Sequence, residues 1–340
     1  MIDSATRAGR LRRPLTLVEP FAGGAATTLR LLTDGVVDHA VIGDADPLVA
    51  SFWIEAAKNP ERLIDRMAEE FDNYVSAGGS AAVARWDYWR SWRPDPSLEA
   101  EANRADQAVK CLFLNRTTFS GILHGSAGPI GGRAQMSNYP IGCRFDVGGL
   151  SARIRWVGQL FSSGRLIDAR ESGWRDTIEF ARSLVEEGRN LIAYLDPPYI
   201  EKSSRLYAVS FAEAGQVPDL WRGIGPHQLL AEYLKTEATF RWILSYDQHP
   251  DLLANVLLYG RHRMTPTEEA VRNGAKQWTI SNRTITLQHS TSVGSKRREV
   301  SELLLTTLSA DDLTAELKLL QTRARGRVIE ETRKRLGHSD

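Results

Sequence analysis

Only two cysteines, Cys111 and Cys143, occur in the 340 residues, and no histidine cluster of zinc-ligand spacing accompanies them. Neither a disulfide framework nor a zinc site is expected. No run of about 18 apolar residues occurs, which argues against a membrane span. The arginines near the start are followed by no apolar core segment, so a secretory signal is not expected and a cytoplasmic location is the plain expectation. A Gly-Lys-Ser/Thr phosphate loop is missing too, which disfavours nucleoside triphosphate hydrolysis. The chain has no internal repeat and no excess charge of one sign: 43 Lys and Arg stand against 42 Asp and Glu, for a net charge of +1. A nucleic-acid partner would therefore need positive charge gathered locally in a basic cleft. What is present is ordinary for a globular protein, with 42% hydrophobic and 25% charged residues. The length exceeds a typical single core, so one large domain with an insertion, or two domains, is expected.

Against this background one segment stands out. The apolar run Leu191-Ile192-Ala193 leads into Tyr194-Leu195-Asp196-Pro197-Pro198-Tyr199. Such a run bounded by proline reads as a buried strand, and two prolines remove two backbone donors and stiffen the exit. In an open α/β sheet, ligands bind beyond the carboxyl ends of strands. A carboxylate, a free carbonyl and an aromatic ring on a rigid shelf suit a planar base with an exocyclic amine: two acceptors meet its two N–H groups while the ring stacks. The same four residues also suit a strand-terminating turn with an aspartate helix cap.

A second strand and turn lies upstream, Leu17-Val18-Glu19-Pro20-Phe21-Ala22-Gly23-Gly24-Ala25, followed by a helix-like run to about Leu32. Glycines there allow close approach of a ligand, and a helix N-terminus supplies N–H groups. The next apolar run, Ala40 to Gly43, ends in Asp44-Ala45-Asp46. An acid about 20 residues past a glycine turn is placed for ribose hydroxyls, though Asp44 also fits a helix cap.

In this order, the Leu-Val-Glu-Pro-Phe-Ala-Gly-Gly turn, Asp44 and the Asp196-Pro197-Pro198-Tyr199 shelf resemble the alpha-group, Dam-type DNA adenine-N6 methyltransferases. The resemblance covers roughly residues 15 to 308. Further echoes are Leu114-Asn115-Arg116 with Phe119 and Gly121, Tyr207, Phe211, His227, Leu244-Ser245-Tyr246-Asp247 and Glu302-Leu303-Leu304-Leu305. It implies an α/β, Rossmann-like methyltransferase sheet with an inserted, mainly helical target-recognition domain. It further implies S-adenosylmethionine as cofactor, held by Glu19, Pro20, Phe21, Ala22, Gly23, Gly24, Asp44, Asp168 and Asp196. Asp196, Pro197, Pro198 and Tyr199 would act on a flipped adenine in double-stranded DNA. Asn115, Arg116, Arg133, Gln135 and Asn138 would contact that DNA. A cognate restriction endonuclease is a candidate partner, and a monomer is expected. RNA adenine-N6 methylation, DNA cytosine-N4 methylation and a DNA-binding relative without catalysis are the alternatives. The chain departs from the family in two places. It offers only Arg7, Arg10, Arg12, Arg13 and Pro14 where members carry a lysine- and glycine-rich motif before the first strand. Asp168, the candidate adenine contact, precedes Ala169 where phenylalanine is common.

The expected organisation is a first catalytic segment at 1–51, the insertion at 52–149, a second catalytic segment at 150–308 and a basic helix at 309–340. Within the insertion, Trp86, Trp89 and Trp92 recur at intervals of three, as one buried helix face does, although the interleaved arginines would also suit phosphates. Asn115 and Arg116 close an apolar helix. The glycine-rich loop beyond carries Arg133, Gln135 and Asn138, side chains that read base edges, and the resemblance makes it a recognition hairpin. Residues 200–226, with Ser203, Ser204, Arg205 and Tyr207, read as a lid, Gly294 to Arg297 as a hairpin turn, and His227 as a packing histidine at a helix start.

Overall fold

The computed structural model describes residues 1–185, 190–200, 225–247, 249–288 and 299–308. The lid residues Ser203, Ser204, Arg205, Tyr207 and Phe211, the turn at Gly294 to Arg297 and the basic helix at 309–340 lie outside them. Seven strands form one mixed sheet in the order β3-β2-β1-β4-β5-β7-β6. They are β1 (Thr16–Glu19), β2 (His39–Asp44), β3 (Leu166–Glu171), β4 (Leu191–Leu195), β5 (Arg241–Asp247), β6 (Ser281–Gln288) and β7 (Glu299–Thr306). Strands β1 to β5 run parallel, while β7 pairs antiparallel with both β5 and β6.

The apolar runs form strands because both faces are covered, as in parallel sheets generally. Side chains alternate between the faces: Leu17, Ala40, Ile42 and Ile192 enter one core, while Val18, Val41, Ala193 and Leu195 enter the other. On the first face lie α2 (Ala26–Thr33), α3 (Pro47–Lys58) and α7 (Val147–Ser162), and on the second lies α8 (Trp174–Ser183). Close packing of α8 depends on Gly43, where an added Cβ would collide with the Thr177 side chain. The order turns back at β1, which has β2 on one side and β4 on the other. That is the switch point at which open α/β sheets bind ligands.

Helices dominate 52–149, as expected: α4 (Pro60–Glu70), α5 (Gly79–Ser91) and α6 (Ala100–Thr117). The chain boundaries differ from those expected. A break after residue 51 falls inside α3, and one after 149 falls inside α7. Moreover, the apolar cluster that starts at Leu17 and Ile42 continues without interruption to Trp86, Trp89 and Phe113. The tryptophan face is therefore core: Trp86 and Trp89 are buried, and the indole N–H of Trp86 donates to Thr118 Oγ1 at 3.0 Å. His227 is buried at a helix start, its Nδ1 2.7 Å from the Tyr246 hydroxyl, and burial pushes its pKa down to about 4. Among the described residues no helix is long and apolar enough to cross a membrane.

Candidate active site at the sheet switch point

The glycine turn after β1 is bracketed from β2 and α3. Ala22 N donates to the Gly43 carbonyl at 2.9 Å, Gly23 N donates to Asp44 Oδ2 at 2.9 Å, and the Trp53 indole donates to the Gly23 carbonyl at 2.9 Å. The turn itself requires left-handed backbone at Gly23 (φ 45) and Ala25 (φ 46). Glycine takes that conformation freely, whereas alanine is strained in it by roughly 1–2 kcal/mol. The brackets hold the strain in place. Helix α2 then begins at Ala25 without a side-chain cap from that residue, and among its first N–H groups that of Thr28 is taken by the Glu19 carboxyl.

Asp44 ends β2 with both oxygens engaged, Oδ2 by Gly23 N and Oδ1 by Asp46 N at 2.9 Å. A carboxylate has about four acceptor positions, so these contacts do not exhaust its acceptor capacity. Burial pushes its pKa up to about 6. Glu19, the last residue of β1, is buried and faces α2, where it accepts from the Thr28 N–H at 3.1 Å and from the Thr28 hydroxyl. Burial, reinforced by Asp196 and Asp44, pushes it up to about 8. Pro20 and Ala22 are buried behind the turn, Phe21 packs on the second core, and Gly23 and Gly24 are exposed.

Strand β4 delivers Asp196 to the same end of the sheet. Asp196 is open to solvent on one side, yet its protein surroundings, and then the charge of Glu302, push it up to about 6. Pro197 is buried and Pro198 and Tyr199 are half-buried. Tyr199 packs against the second core, and its hydroxyl donates to Glu302 Oε1 at 3.3 Å. Tyr194, two residues before Asp196, is half-buried, and burial, then the charge of Asp196, pushes its hydroxyl up to about 12. The turn, Asp44 and the Asp-Pro-Pro-Tyr shelf thus meet in one crevice.

Asp168 does not join them. Its register partner is Val41, three residues before Asp44 and therefore about 10 Å further down the strand. Its carboxylate pairs with Lys58 Nζ at 3.7 Å and Arg170 at 3.9 Å. The acid that stands opposite Asp44 is Glu171, exposed at the end of β3, with Ser172 N donating to the Asp44 carbonyl at 3.1 Å. Sequence reading passed over Glu171, although the Ser172-Gly173 turn marks it as the strand's last residue. It also passed over Glu302 as a neighbour of Asp196. His124, in the glycine-rich loop, has its Nε2 2.5 Å from Asp46 Oδ2 and ties the loop after α6 to the N-cap of α3.

That loop is no hairpin. Turns and a single bridge, Thr118 to Pro129, shape it, and no ladder forms within it. Gln135 is consumed by the loop: its Nε2 donates to the carbonyls of Ile130 (2.8 Å) and Gly132 (2.5 Å), and its Oε1 accepts from Ile141 N (2.9 Å). Arg133 makes a two-pronged pair with Asp87 of α5 at 2.7 and 3.0 Å. Asn138 is exposed at the tip between Met136, 90% exposed, and Tyr139, 70% exposed. Asn115 and Arg116 line a cavity at the C-terminal end of α6.

The Glu19 environment has a measurable consequence. Its pKa is raised on folding from 4.5, so the stability it contributes is fully present below about pH 4.5 and is lost as pH rises through about 8. Glu19→Gln, which mimics the protonated carboxyl, is expected to match the wild type in melting temperature at pH 5 and exceed it increasingly towards pH 9. A difference that stays constant over this range would show that Glu19 does not titrate there.

No protein-family model matches the chain, and no curated protein matches its sequence.

Proposed function

We propose that this chain transfers a methyl group from S-adenosylmethionine to N6 of an adenine flipped out of double-stranded DNA. The observation that carries the reading is the meeting, at the switch point, of a braced glycine turn, a strand-end acid and an Asp-Pro-Pro-Tyr shelf. When bound, the cofactor supplies a methyl group activated on a positively charged sulfur. The chain's part is to hold and align. The turn at Gly23 and Gly24 gives close backbone approach, Asp44 offers its free acceptor positions to the ribose, and Glu171 offers an acceptor to the cofactor's adenine. The carboxylates of the crevice favour the sulfonium charge.

The target amine is buried in a duplex and must leave the stack to be reached. Its lone pair is delocalised into the ring and is a poor nucleophile. Asp196 and the Pro197 carbonyl, accepting from both N–H groups, favour the pyramidal amine that develops in the transition state, and Asp196 takes the proton that N6 sheds. Tyr199 stacks on the base, which contributes roughly 1–3 kcal/mol. Alignment supplies much of the remaining acceleration.

The test is incubation of the full chain with S-adenosylmethionine and, in separate arms, duplex DNA or RNA, followed by digestion to nucleosides and mass spectrometry. N6-methyladenine is the expected product. N4-methylcytosine, or modification confined to RNA, would move the activity to another substrate, and no modified nucleoside in any arm would refute it.

The loop geometry divides its polar residues. Asn138→Ala is expected to relax preference at one position of the methylated motif by roughly 1–3 kcal/mol, as loss of one bidentate base contact does. Gln135→Ala is expected to loosen the loop and weaken DNA binding for all sequences alike. Sequencing of methylated positions separates the two outcomes, and an unchanged motif in Asn138→Ala would remove that residue from base reading.

A further inference from the structure

The crevice is strongly acidic. Asp44, Asp196 and Glu302 border the shelf and the turn, Asp196 feels the charge of Glu302, and the buried Glu19, protonated below about pH 8, feels those of Asp196 and Asp44. That environment suits the sulfonium and ammonium groups of the proposed cofactor and repels its α-carboxylate.

A cationic cavity adjoins the turn. It has a volume of about 630 Å³, starts at Gly23 and Gly24 and runs between α2, α3, α6 and α7. Its body is apolar, with Phe52, Trp53 and Leu112 among its walls, and no carboxylate lines it among the described residues. Arg116 and Arg153 supply its charge. Arg144 is adjacent, since a Cβ on Gly121 of the same wall would lie 3.6 Å from its Nη2. Arg116 Nε is buried and has no hydrogen-bond partner among the described residues. Burial, and then the charges of Arg144 and Arg153, lower the pKa of Arg116. Half-buried guanidinium groups are normally paired, and leaving one without a counter-charge is costly. An apolar cavity of this size with a few convergent polar groups has the make-up of a ligand site.

Resting on the methyl-transfer reading, we infer that Arg116 and Arg153 receive the α-carboxylate of S-adenosylmethionine. The ribose lies towards Asp44, the sulfur towards Asp196, and the aminoacyl end enters the cavity beside Gly24. Arg116 thereby becomes a cofactor ligand and not a contact to DNA phosphates.

Titration calorimetry of the full chain tests this with two probes, S-adenosylmethionine and its decarboxylated form, which lacks only the carboxylate in question. Arg116→Gln and Arg153→Gln are each expected to weaken S-adenosylmethionine about ten-fold, the effect of one charge-assisted hydrogen bond, while the decarboxylated form stays within about two-fold. Arg153 is exposed, so its variant keeps the test open should Arg116→Gln fail to fold. Equal losses for both probes, or no loss, overturn the inference. Weaker duplex DNA binding with a shallower salt dependence, at unchanged cofactor affinity, assigns these arginines to phosphates and overturns it as well. A wild-type chain that binds neither probe while DNA methylation is also absent refutes the methyl-transfer reading itself, a result distinct from the others.

Discussion

Asp196→Ala is expected to reduce methyl transfer by about 10²–10³-fold, the range seen when one pre-organised hydrogen-bonding group is removed from a transition state. Duplex DNA affinity should persist, because Asp196 meets only the flipped amine. Asp196 must be ionised to accept from that amine, and its pKa is raised to about 6. The pH profile of turnover is therefore expected to fall on the acid side with a midpoint near 6. Glu302→Gln removes one of the two causes of the shift, a neighbouring negative charge, and should move that midpoint downwards. Single-turnover rates between pH 5 and 8 measure both effects. Near-normal turnover in Asp196→Ala would remove the carboxylate from the chemistry.

The second large effect concerns stability. Trp89 is 1% exposed, its indole donates to Glu70 Oε2 at 3.0 Å, and its ring packs against Phe113 and Trp92. Replacement by alanine should cost about 3–5 kcal/mol, as truncation of a buried aromatic does. Glu70 retains Arg85, whose Nε donates to it at 2.8 Å, so the buried carboxylate is not stranded. The apolar cluster around Trp89 is continuous with that under β1 and β2, so the loss should lower the stability of the sheet as well. Denaturant unfolding followed by far-ultraviolet dichroism and tryptophan fluorescence is expected to show coincident transitions shifted to lower midpoint. Separate transitions, with the sheet unaffected, would make the helices of 52–149 an independent unit.

The sequence by itself determined the elements whose signals are local. Buried parallel strands are continuous apolar runs, and the prolines and glycines that end them are visible in any reading. Hence the strands at Leu17, Ala40 and Leu191, the α2 helix after the glycine turn and the Trp86–Trp89 core face were all legible. So were the two turns that meet in the crevice, since strand ends of a parallel sheet share one edge.

Tertiary structure decided whatever depends on register and on partners distant in sequence. Asp168 and Glu171 are both acids on β3, and a three-residue difference in pairing with β2 puts one against Lys58 and the other opposite Asp44. Gln135 has the chemistry of a base reader, but the carbonyls of its own loop take both of its donors' contacts. Arg133 is met by Asp87 across 46 residues. Arg116 closes an apolar helix in the sequence, and only the packing of α3, α6 and α7 puts it on a cavity wall without a counter-charge among the described residues. Residue type records what a side chain can do. Which of those capacities stays free is settled by long-range packing, because a hydrogen bond or ion pair made within the fold removes it from the surface that a ligand meets.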